Sequence, residues 1–269
     1  MTTRVRVAVC AIVAVVVAPG CVPALRDLPA ADRASPPPPA SEVDPLLERA
    51  ARLFDTRSVP EVREALATWV LAATADTGRI EGLVGAARAG VWLAEHESDG
   101  GARENAAVEA VRAAQRCAQN APDRAECAYW LGAALGVQAR ERPTTAHSAL
   151  PILVDAFVRA AAIDPLLEEA GPDRALALVY LRAPGWPAGP GNPDRGLEHA
   201  RQAVARRPDH PPNLLALAEA LAATEDRPSA RATCLRALEA ARSAERVGNL
   251  DAQDWLREAG ALLARLPEE

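Results

Sequence analysis

The sequence predicts an all-α protein, an α-solenoid of about four antiparallel helical hairpins with flanking helices. Three observations carry that prediction. Apolar residues recur at helical spacing from about residue 44 to the end of the 269-residue chain. No run of alternating β-branched residues reads as a strand. The breaks in the periodicity, such as Asp164-Pro165 and Arg207-Pro208-Asp209, fall at regular intervals, as in repeat proteins. Composition agrees. Only 3% of the residues are aromatic, alanine dominates, and all of the Lys+Arg total of 30 is arginine. Small side chains let helices approach closely. The net charge of −6 argues against a nucleic-acid-binding surface.

The first 20 residues read as an address. Arg4 and Arg6 precede an apolar run, Val7–Val17, that is too short to span a bilayer, which takes about 20 apolar residues. Ala18-Pro19-Gly20-Cys21 follows and resembles a bacterial lipobox, in which the cysteine becomes the lipid-modified first residue. The expectation is a lipoprotein signal peptide over residues 1–20, with lipidation at Cys21. Residues 21–41 are proline-rich, with Pro36–Pro39 favouring an extended polyproline II conformation. They read as a tether, and residues 42–269 as the repeat domain.

Within the domain, Leu131-Gly132, Leu135, Phe157, Ala160 and Pro165 follow the tetratricopeptide pattern. Helix A carries a large and then a small residue, and helix B an aromatic, an alanine three residues on and a closing proline. Gly132 and Ala160 mark where the paired helices touch. Leu150, Leu153, Phe157 and Ala160 form one apolar face of helix B. Leu217-Ala218 with Ala230, Cys234 and Ala237 repeats the pattern downstream. Between them Gly196, Ala200, Ala203 and Pro208 keep helix B spacing, and Asn192-Pro193-Asp194 opens that helix. Upstream, residues 60–76, 80–96 and 104–122 alternate as helices B, A and B. Leu250, Trp255 and Leu262 belong to a final amphipathic helix that covers the open end of the stack.

Pro184-Gly185-Trp186-Pro187-Ala188-Gly189-Pro190-Gly191 cannot be helical. It reads as a widened turn between helix A and helix B of one repeat. Trp186 inside it has two readings, a plug over the adjacent helix ends or a contact for a partner or ligand. Trp92, Tyr129 and Trp130 lie on helix A segments, where they belong to the core or line a concave surface.

Cys117 ends one helix and Cys127 begins the next, so antiparallel packing brings them close. In an oxidising compartment a disulfide is expected, the alternative being two buried thiols at small-residue positions. Cys234 reads as a small core residue. The four histidines, His96, His147, His199 and His210, form no metal-ligand spacing. No P-loop and no GxSxG occurs. No catalytic residue, metal or cofactor is expected, and the chain reads as a non-enzyme.

The stretch Gly171–His210, with its Gly-Pro before helix A, Tyr180-Leu181, the Ala-Pro-Gly-Trp-Pro loop and the closing Arg-Pro-Asp, resembles the T-component (TatT-like) proteins of TRAP transporters. The segments from Cys127 and from Leu153 also fit. The resemblance implies a bacterial lipoprotein on the periplasmic side of the envelope, anchored at the outer membrane. It implies docking to a solute-binding subunit of a TRAP transporter, with a small apolar ligand held or passed, and it leaves room for a homo-oligomer. The competing expectation is a general envelope scaffold that binds proteins and no small molecule.

Overall fold

The computed structural model describes residues 23–25 and 39–266. Residues 1–20 and Cys21 lie outside the described residues. Among those described, eleven α-helices follow one another without a strand. They are α1 (Val43–Phe54), α2 (Val59–Ala75), α3 (Glu81–His96), α4 (Gly100–Asn120), α5 (Ala125–Glu141), α6 (Ala146–Ile163), α7 (Leu167–Arg182), α8 (Pro193–Arg206), α9 (Pro211–Ala223), α10 (Arg227–Arg246) and α11 (Ala252–Ala264). Consecutive helices pair from α1·α2 to α9·α10, giving five hairpins closed by α11 against α10. The added hairpin is α1·α2, because the short α1 supplies the helix A for the segment read as a lone helix B.

Helix boundaries follow local chemistry. Asp99, Asn192 and Asp226 cap α4, α8 and α10 by accepting from the backbone N–H groups of Ala102, Arg195 and Ser229. Prolines open α2, α8, α9 and α10, where the missing N–H costs nothing. Helix α6 starts at Ala146, a turn before the apolar face begins, and carries Pro151 in its second turn. Pro151 leaves one helical hydrogen bond unmade there.

Packing rests on small residues. A Cβ on Gly132 would stand 2.7 Å from Phe157 Cε1, and one on Gly85 would stand 2.4 Å from the Trp69 ring. The helices of α5·α6 and α2·α3 thus approach as only glycine permits. Ala160, Ala177, Ala200 and Ala220 are fully buried at equivalent contacts. One apolar core runs from α1 to α7, and a second joins α9, α10 and α11. Cys234 is fully buried in the second. Leu262 of the closing helix is buried against the second core, whereas Leu250, in the turn before that helix, is 54% exposed and covers nothing.

Cys117 and Cys127 are joined as a disulfide across the α4–α5 turn, with their Cα atoms 5.1 Å apart. Residues 23–25, within the stretch read as a tether, lie against the domain. Ala24 is 1% exposed in the first core, and Gln138 Nε2 donates to its carbonyl at 2.9 Å.

Candidate functional site

Helices α1, α3, α5, α7 and α9 line the inner side of the stack, joined by one side of α6 through Leu150, Leu153 and Phe157. Helix α11 lies across the far end. The inner faces bound a groove of about 1320 Å³. Two long-range polar contacts, one of them an ion pair, draw the stack together around it. Arg57, after α1, donates to Asp251 at 2.7 Å, and His96, ending α3, meets Asp254 of α11 at 3.0 Å.

Six of the chain's nine aromatic residues line this groove: Phe54, Trp92, Tyr129, Trp130, Phe157 and Trp255. Trp92 stacks on His96 with ring centres 3.9 Å apart and meets Phe54 edge-on at 6.5 Å. Tyr129 packs edge-to-face on Trp130 at 5.1 Å and against Phe157 at 5.8 Å. The guanidinium groups of Arg57 and Arg88 lie over the Phe54 ring at 4.3 and 4.8 Å. Tyr129 and Trp130 are largely buried, and Trp92 is half-buried.

Three of the four sequence-predicted aromatic residues, Trp92, Tyr129 and Trp130, therefore share one site. Trp186 does not. Its loop is folded back on itself, with Gly191 N–H bonded to Pro184 O at 2.8 Å and Asn192 N–H to Tyr180 O at 2.8 Å. A Cβ on Gly191 would stand 2.2 Å from Ala183 O, so the loop closes only with glycine there. The Trp186 indole projects from it, 90% exposed, and covers no helix end. That overturns the plug reading: a loop tightened on its own backbone turns the ring outward.

The polar groups of the groove are mostly paired with one another. Arg182 holds Glu219 through two bonds of 2.9 and 2.7 Å, and Arg140 stands 3.8 Å from Glu95. Glu95 and Glu258 line the groove with their side chains partly open to water, and partial desolvation by its walls holds both carboxyls above the usual range. His210 packs edge-on to Trp255 at 5.5 Å. Burial, then the charges of Arg174 and Arg207, push it down to about 4, so it is neutral at pH 7.

One wall contains a strained turn. Glu168, Glu169 and Ala170 take φ values of 47, 58 and 64°, a left-handed turn without glycine just before the helical part of α7. Such residues cost about 1–2 kcal/mol each. Arg174 offsets this by donating to the Glu168 and Glu169 carbonyls and, at 2.8 Å, to Asn213 Oδ1. Asn213, fully buried, returns a bond of 2.9 Å to Glu169 O. Sequence reasoning missed Arg174, Asn213 and both long-range contacts to Asp251 and Asp254, since no local pattern marks partners so far apart. Among the described residues no group of three or more His, Cys, Asp or Glu is placed to hold a metal ion.

The tetratricopeptide repeat family matches residues 189–253. The crystal structure of TTC0263, a thermophilic tetratricopeptide-repeat protein of Thermus thermophilus, is 21% identical with a TM-score of 0.60, over 82% of this chain and 99% of that one. MamA protein is 16% identical with a TM-score of 0.48, covering 77% and 97%. YrrB, described as a tetratricopeptide-repeat protein with an unusual peptide-binding site, is 19% identical with a TM-score of 0.43, covering 73% and 84%. No curated protein matches the chain. The chain folds as a tetratricopeptide-type α-solenoid.

Proposed function

We propose that the protein is a lipid-anchored accessory of the bacterial envelope that docks a TRAP transporter solute-binding subunit, with the groove as its docking surface and as a place to hold or pass a small ligand. The observation that carries this reading is the groove itself. A chain poor in aromatic residues gathers six of nine around one cavity of about 1320 Å³. Aromatic side chains anchor interfaces and line ligand sites. The Ala-Pro-Gly-Trp-Pro loop and the lipobox-like Cys21 support the placement in the envelope by resemblance alone.

A second reading, a scaffold without a small ligand, is favoured by the internal pairing of Arg57, Arg182 and His96, which leaves few polar groups free for one. Affinity capture of the tagged protein from its own envelope after mild crosslinking separates the two. A periplasmic solute-binding protein in the eluate, lost with Trp92→Ala, supports the first. Recovery of other envelope proteins without one moves the reading to the scaffold. Cys21→Ser tests the anchor, which predicts release from the membrane fraction.

A further inference from the structure

We infer that the outer face of α6 and the Trp186 loop form a membrane-contact surface, set against the lipid by the docked N-terminal segment. The inference rests on the lipid-anchor reading of Cys21. Its occupant is the bilayer that holds that anchor.

The first observation is where the chain leaves the domain. Ala24 is buried, and its carbonyl is held by Gln138 in the last turns of α5. Cys21 is three residues upstream, and three residues of chain reach at most about 11 Å. A lipid on Cys21 therefore enters the bilayer beside this end of the α5–α6 hairpin. A free tether of residues 21–41 would instead leave the orientation open.

The second observation is what that end of the hairpin presents. A short turn, Pro143–Thr145, joins α5 to α6, so Gln138 and the first turns of α6 lie at the same end. Pro143–Val154 contains no Asp, Glu or Arg in a chain that is 25% charged. The stretch Pro143–Ile163 is long and apolar enough to cross a membrane by composition, yet only 28% of it is buried. It packs as half of a hairpin with Leu153, Phe157 and Ala160 buried, so it does not cross; its outward face carries Pro151, Val158 and Ile163 beside His147 and Asp155. Pro151 and Val158 are exposed, and Leu150 and Val154 are half-buried beside a surface pocket of about 640 Å³. Asp155 and Arg159 are the charged residues of the helix.

The third observation is Trp186. A Cβ on Gly189 of its loop would stand 3.5 Å from Leu150 Cδ1, so the loop rests on the first half of α6. The indole is 90% exposed there. Tryptophan is the side chain favoured at the boundary between lipid headgroups and acyl chains. A covalent lipid holds a protein more firmly when a second membrane contact acts with it. Anchor exit, the exposed Pro151 and Val158 of α6 and the loop with the projecting indole belong to this end of the α5–α6 hairpin.

The experiment uses the full lipidated protein in vesicles of phosphatidylethanolamine and phosphatidylglycerol, with bromine placed high on the acyl chains. Subtracting the fluorescence of Trp186→Phe isolates Trp186 from the other four tryptophans. The expected result is at least twofold quenching of the Trp186 component. Val158→Glu should reduce it, and Ala24→Arg should abolish it while the protein still sediments with vesicles. A Trp186 component left unquenched in vesicle-bound protein overturns the proposal and leaves the anchor standing. So does quenching that persists in Ala24→Arg, or protection of Trp186 by a captured protein partner and not by lipid. Protein that fails to sediment, with an unmodified Cys21 peptide by mass, overturns the anchor reading and this proposal with it.

Discussion

Arg57 and Asp251, separated by 194 positions, are bonded at 2.7 Å, so the first hairpin meets the turn that leads into the last helix. A solenoid in which each repeat touches only its neighbours has no such contact. Here the concave side is drawn into a bounded groove. Arg57 is 15% exposed and also covers the Phe54 ring, which places the pair toward the stronger end of partly exposed ion pairs. A double-mutant cycle of Arg57→Ala and Asp251→Ala should give a coupling of about 1 kcal/mol. Each single variant should speed amide exchange in α11 by roughly fivefold.

Two glycines on one helix should respond oppositely to substitution. Gly132 faces Phe157 at 2.7 Å, whereas a Cβ at Gly136, one turn on, meets nothing within 4 Å. Gly132→Val should destabilise by about 1–3 kcal/mol through overpacking. Gly136→Ala should stabilise by roughly 0.5–1 kcal/mol, because glycine is the poorer helix former. Denaturant midpoints measured on both variants check this pair.

The pH dependence should show the neutral His210. Its ordinary value of 6.5 falls to about 4 in the fold. Between these values the unfolded chain binds the proton and the folded chain does not, so stability is present above pH 6.5 and is lost as pH falls toward 4. Glu95 and Glu258, raised by partial desolvation in the groove, act in the opposite sense, so the His210 contribution is read as a difference between variants. His210→Phe should reduce the loss of Tm between pH 6.5 and pH 4 by roughly 2–4 °C, on the order of 1 kcal/mol after allowance for groove water.

The Cys117–Cys127 bond closes a separation of 10 residues. Reduction should cost about 2–3 kcal/mol by the chain-entropy estimate. Thiol titration of denatured protein beginning after Cys21 should find Cys234 alone; three reactive thiols would mean that the pair is unbonded.

Much of this fold is legible in the sequence because it is local. Gly132 with Phe157, Asn192 before Pro193, and the cysteines either side of one turn all declare themselves at helical or turn spacing. Most of the groove's aromatic wall follows too, since Trp92, Tyr129 and Trp130 sit on helix A segments. What closes the groove does not. Arg57 with Asp251, His96 with Asp254 and Arg174 with Asn213 depend on the accumulated curvature of the stack, which no window of sequence contains. The left-handed turn at Glu168–Ala170 is hidden for a related reason: its partner Asn213 belongs to the next repeat. The outward Trp186 follows from backbone bonds within its loop, which composition alone cannot orient.

The most direct test of the central claim is hydrogen exchange on the protein with and without its captured solute-binding partner. The account predicts added protection on α3, α5 and α7, the helices that carry the groove wall. Protection confined to the outward helices α2, α4 and α8, or none at all, would contradict it.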